Sequence, residues 1–143
     1  MNIKSKIAIA IIPFTLLSCN KESILTTSEI PAEISEHVTM NFPDNKILQA
    51  IKDVEGFTKS YNIILDGGIS LEYNRKKEII EIDGTTELPK SVIPSKLGLY
   101  VATNFPDNFI TNWELEGKHQ QIGLNNELDL EFKMNGDFIR IDN

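Results

Sequence analysis

The chain carries one thiol, Cys19, and two imidazoles, His37 and His119, in 143 residues. Cys19 closes an N-terminal pattern with its own chemistry. Lys4 and Lys6 form a short basic stretch, and Ile7 to Leu17 is an apolar run broken only by Pro13 and Thr15. Those 11 residues are too few to cross a bilayer as a helix, which takes about 20. They fit the hydrophobic region of a secretory signal. The run ends in Leu16-Leu17-Ser18-Cys19, a lipobox: small or apolar residues before the cut, and a thiol that is diacylated before signal peptidase II cleaves. A buried core segment with an incidental cysteine is the bland alternative. The position of the sole cysteine favours lipidation, so residues 1–18 are expected to be a signal peptide and Cys19 the lipidated residue. A lone cysteine also excludes an internal disulfide framework.

The remaining reactive types yield no catalytic set. There is no nucleophile elbow, no H-E-x-x-H zinc motif and no phosphate loop. His37 lies one turn before Asn41, and His119 lies in a loop; both read as surface or half-buried residues without a catalytic role. Asp44 and Asp107 follow prolines and read as turn chemistry rather than metal ligands. A calcium site needs several oxygens in a defined loop, and none is visible. Neither a metal nor a cofactor is expected, and the chain is not expected to be an enzyme.

Cleavage before Cys19 removes Lys4 and Lys6. It leaves 12 basic and 21 acidic residues, and the formal charge moves from -7 to -9. Such a body should bind neither nucleic acid nor an anionic membrane by charge, so the membrane is expected to be reached through the lipid only. Asn20, where Asp would favour inner-membrane retention, points to the outer membrane of the cell envelope, facing the periplasm or the surface.

The elements that position these residues come in two sets. Residues 19–29 are polar and read as a tether. Ile30-Pro31 to Asn45 then aligns without gaps on Ile93-Pro94 to Asn108, with half of the 16 positions identical. The identities include Asn41-Phe42-Pro43-Asp44 against Asn104-Phe105-Pro106-Asp107. A repeat of this kind implies one unit used twice, here 30–84 and 85–143. In each unit a short helix is expected, with Ile34, Val38 and Phe42, or Leu97, Val101 and Phe105, on one face. Pro43 and Pro106 end the helices. Alternating strands follow, with Asp66-Gly67-Gly68, Asn125-Asn126 and Asn135-Gly136 as turns. The fold class is α+β: two tandem units, each one helix packed on a four-stranded antiparallel meander sheet.

A helix, Asn-Phe-Pro-Asp at its exit, a four-strand meander, and duplication behind a lipobox together resemble the PepSY-like, or beta-lactamase-inhibitor-like, family of secreted proteins. The segments from Asp66 to Tyr73 and from Leu128 to Phe132 belong to the likeness, which spans almost all of the mature chain. The resemblance implies a fold, an envelope location and relatives that bind or restrain enzymes. It implies little chemistry.

Function is then expected from the sheet face away from the helices. Trp113 and Phe138 fall out of step with the core positions Ile110, Ile139 and Ile141, which makes them candidate exposed anchors for a protein or peptide partner. Glu72, Glu131 and Arg140 are the candidate polar surround, with both glutamates outward and solvated. The leading expectation is a lipid-anchored binding module. The alternatives are an envelope glycan hydrolase using paired carboxylates and a structural subunit of an envelope complex.

Overall fold

A computed structural model describes residues 20–142; the expected signal peptide, residues 1–18, and the expected lipidation site Cys19 lie outside the described residues. Strand β1, Asn20–Ile24, opens the fold, and a single 3-10 turn, Thr27–Glu29, links it to helix α1, Ala32–Asn41. Four strands follow: β2 Ile47–Glu55, β3 Thr58–Leu65, β4 Ile69–Tyr73 and β5 Ile79–Gly84. The order then recurs as α2 Ser95–Asn104, β6 Ile110–Glu116, β7 His119–Leu124, β8 Asp129–Lys133 and β9 Phe138–Asp142.

All nine strands form one antiparallel sheet in sequence order, β1 to β9. The two meanders merge because β5 pairs with β6 through Glu81–Glu114, Ile82–Trp113 and Asp83–Asn112. Both helices lie on the same face. Ile34 and Val38 of α1 and Leu97 and Val101 of α2 join one continuous core with Ile63, Leu71, Ile82, Ile122 and Leu130 from the strands. Each such side chain, once fully buried, contributes about 1.5–3 kcal/mol.

The helix exits do what the repeated motif requires, through a different residue. The Phe42 and Phe105 amides each donate to a valine carbonyl one turn back, at 2.8 Å. Phe42 is buried and Phe105 half-buried. Asp44 and Asp107 are exposed, and the bonds that tie exit to hairpin come from the next residue. Asn45 donates to the Asp66 carbonyl, and Asn108 donates to the Asn125 side chain. Gly67 and Gly68 both have positive φ, +78° and +74°, as the tight hairpin demands. In the second unit Glu127 takes the left-handed position, at φ 66°.

The expected tether is not free. Residues 20–24 pair with β2 from Asn20–Glu55 to Ile24–Ile51, and the Leu25 amide donates to the Ala50 carbonyl. β1 covers the edge of β2 as β5 covers the edge of β6. An uncovered edge would expose a row of unpaired amides and carbonyls.

Candidate functional site

Trp113 and Phe138 are not on the open face. Trp113 is only 6% exposed and lies on the helix side, opposite Ile82 and Ile122. Its indole Nε1–H donates to the Gln120 amide oxygen at 3.2 Å. Gln120, itself buried, donates onward to the Lys133 and Met134 carbonyls. Phe138 stacks on Tyr100 of α2 at 4.6 Å and meets Phe132 edge-on. The cause is a recurring β-bulge. Register shifts between Ile110 and Asn112 and between Glu131 and Phe132 put residues three apart on one face. Ile110 and Trp113 therefore both face the core, as do Phe138 and Ile141. Ile141 is still 46% exposed, because β9 is the last strand and none of the described residues covers its flank. Ile139 turns away and is exposed.

His37 and Tyr73 mirror the Tyr100–Phe132 contact, each pair being edge-on at 86°. His37 Nδ1 and the Tyr73 hydroxyl share a 2.8 Å hydrogen bond. Burial lowers the His37 pKa and raises that of Tyr73. The pair holds α1 to β4.

The open face is organised by register. One row crosses the whole sheet: Ile24, Ile51, Asn62, Glu72, Glu81, Glu114, Gln121, Glu131, Arg140. Each residue sits directly opposite the next on the adjacent strand. The row is apolar at the β1 edge, acidic in the middle and cationic at the β9 edge. The three expected polar residues, Glu72, Glu131 and Arg140, all fall on it.

Glu131 departs from expectation. Its side chain is 8% exposed rather than solvated. His119 Nδ1 lies 2.6 Å from Oε1, and Arg140 Nε lies 2.8 Å from Oε2, an ion-pair contact rather than an aligned hydrogen bond. Arg140 also donates to Asp142. Buried charges persist only when paired, and this carboxylate is paired on both sides.

The centre of the row is different. Glu72, Glu81 and Glu114 occupy consecutive strands, β4, β5 and β6, and among the described residues none has an ion-pair partner. Like charges directly opposite on a sheet are destabilising. The Glu81 pKa is raised, first by desolvation and then by Glu114, Glu72 and Asp83. That of Glu114 is raised by desolvation, Glu116 and Asp129. The carboxylates stand on an open face and not in a closed pocket. Among the described residues no three metal-ligating side chains converge on a point. Glu81 and Glu114 escaped the sequence reading because the seam between units is a tertiary pairing that no local pattern encodes.

This architecture, a nine-stranded antiparallel sheet with two helices on one face, is that of a known class. The family model described as "Putative beta-lactamase-inhibitor-like, PepSY-like" matches residues 15–81 and 59–140, and the chain belongs to that family. A crystal structure described as a "putative calcium-regulated periplasmic protein" from Bacteroides thetaiotaomicron is similar over 85% of this chain and 97% of its own. Its identity to this chain is 28%, with a TM-score of 0.80. A crystal structure described as a "putative periplasmic protein from DUF2874 family", from Bacteroides vulgatus, shares 29% identity over the same fractions, with a TM-score of 0.79. A second Bacteroides vulgatus structure, described as a "putative periplasmic protein of unknown function", shares 25% identity over 86% of this chain and all of its own, with a TM-score of 0.80. No curated protein matches the chain.

Proposed function

We propose that this protein is a non-catalytic binding module, held in the cell envelope by a lipid on Cys19, whose acidic open sheet face engages a cationic segment of a protein or peptide. The observation that carries this is the run Glu72, Glu81, Glu114. Three adjacent strands present carboxylates directly opposite one another, without a cation among them, on a face that neither helix of the described residues covers. A fold under selection for stability alone would alternate the signs. A lysine- or arginine-bearing partner would relieve the repulsion, and Ile24, Ile51 and Ile64 offer apolar surface beside it. The periplasmic descriptions of the structural neighbours support the location. The family's inhibitor-like description supports recognition rather than turnover.

The test compares capture from envelope extracts by wild type and by the double variant Glu81→Gln, Glu114→Gln. A partner that is lost on neutralising the two glutamates, and released by salt from wild type, supports the reading. A partner retained equally by the double variant contradicts it. Mass spectrometry of the protein taken from membranes tests the anchor separately, through the acyl mass on Cys19.

A further inference from the structure

The duplication sets each residue of the open face beside a counterpart in the other unit. Glu72 and Glu131 are equivalent by register: the residue opposite is Glu81 on β5 for the first and Arg140 on β9 for the second. Tyr61 faces Tyr73 as Gln120 faces Phe132, which makes Ser60 the equivalent of His119. Glu131 is closed between His119 Nδ1 at 2.6 Å and Arg140 Nε at 2.8 Å. Arg140 also donates to Asp142, whose equivalent is Asp83. The first unit therefore keeps both acids of this cluster, as Glu72 and Asp83, and neither cation. A serine and a second glutamate stand in the cations' places.

The small serine leaves room. A shallow hollow of about 580 Å³ opens on this face, lined by Ser60, half-buried Glu72, Asp53 opposite Ser60, Ile80, and Phe57 of the β2–β3 hairpin. Glu55, Lys59 and Arg75 are its other charged residues. The Lys59 ammonium lies over the ring of Tyr61, 4.9 Å from its centre, and Tyr61 belongs to the core. Arg75 is exposed, and among the described residues no ion pair joins either base to an acid of the hollow. Three acids against two bases, with Glu81 next to Glu72, leave the hollow acidic.

We infer that this hollow is a pocket for one arginine side chain of the partner: its guanidinium meets Glu72 and Asp53 in the space that the His119 imidazole fills in the second unit. The inference rests on the cationic partner proposed above and names the side chain that partner presents. The equivalent carboxylate, Glu131, already holds a guanidinium and an imidazole of this same chain, so the site's chemistry suits a flat, delocalised cation. A guanidinium can pair with carboxylates through its fork of donors and stack on a ring, which an ammonium cannot match. Phe57 offers that ring and Ile80 offers apolar surface for the methylene stem. A side chain that is 99% exposed and idle in the fold thereby gains a use.

The experiment is an NMR titration of the isotope-labelled protein with the capped peptide Gly-Gly-Arg-Gly-Gly and with its lysine and citrulline counterparts. The arginine peptide is expected to give saturable shifts at the amides of Ser60, Glu72 and Ile80. Citrulline keeps the shape and loses the charge, and its affinity is expected to be on the order of tenfold lower; lysine is expected to bind more weakly than arginine. Ser60→His installs the second unit's imidazole and is expected to abolish the response. Equal affinity for arginine and either counterpart, or no saturable shift at the three amides, overturns the pocket, and neither result depends on a variant folding. If the envelope partner is then still lost in Glu81→Gln, Glu114→Gln, the acidic-face reading stands without the pocket. Arginine-selective shifts at the three amides together with a partner retained by that double variant support the pocket and overturn the role given to the acidic run.

Discussion

At the scale of single residues, Glu131 and Trp113 show how one row of side chains separates stability from recognition. Glu131 is buried between His119 and Arg140, and removing one partner of a buried charge costs more than the pair is worth. Arg140→Ala is expected to destabilise by about 1–3 kcal/mol in urea unfolding, with Arg140→Lys in between. Trp113 fills the space over β5 and β7 where Ala50 suffices in the first unit. Trp113→Ala is expected to cost about 3–5 kcal/mol by the same measurement. Phe57→Ser is expected to stay within about 0.5 kcal/mol, because Phe57 touches so little of the fold. What brings Trp113 inside is a bulge and a pairing with a strand of the other unit, neither of which has a local signature.

At the scale of elements, the helices were legible because their signals are local: apolar residues four apart, a proline at each entry and another after each exit. The hairpins were legible from Asp-Gly-Gly and Asn-Gly. The inward face of each strand was not fully legible, because strict alternation fails at every register shift. A one-residue slip exchanges the two faces of a strand, and that exchange is what placed Trp113 and Phe138 on the wrong side. β1 was missed for a related reason. Asn20-Lys21-Glu22-Ser23-Ile24 is polar and lacks strand propensity, and it is a strand only because β2 offers an open edge. Removing residues 20–29 is therefore expected to lower the urea midpoint and to speed amide hydrogen exchange in β2 more than in β8.

At the scale of the whole molecule, the acidic centre predicts how stability depends on pH. Glu81 and Glu114 have folded-state pKa values raised above the ordinary 4.5, so the native state binds more protons than the unfolded chain between the two values. Stability from these groups falls as pH rises through that window and recovers on acidification. Glu33 and Asp137 act in the opposite sense. Their pKa values are lowered, Glu33 chiefly by a hydrogen bond from its own backbone amide and then by Lys77, and Asp137 chiefly by its bond to Lys96. Their contribution is lost as pH falls through those lower values. The melting temperature is thus expected to peak in mildly acid solution rather than at neutrality. In the double variant Glu81→Gln, Glu114→Gln the decline from that peak toward neutral pH is expected to flatten.

The central claim is that the open face, and not the helix face, meets the partner. The helix side offers a rival surface, a groove lined by Leu88, Ile93, Leu99, Ala102 and Phe109. Site-specific photo-crosslinking in intact cells decides between them, with a photoreactive phenylalanine derivative in place of Glu114 in one variant and of Leu99 in another. The account predicts an adduct of one defined mass from position 114 and none of that mass from position 99. An adduct from position 99 alone would contradict it.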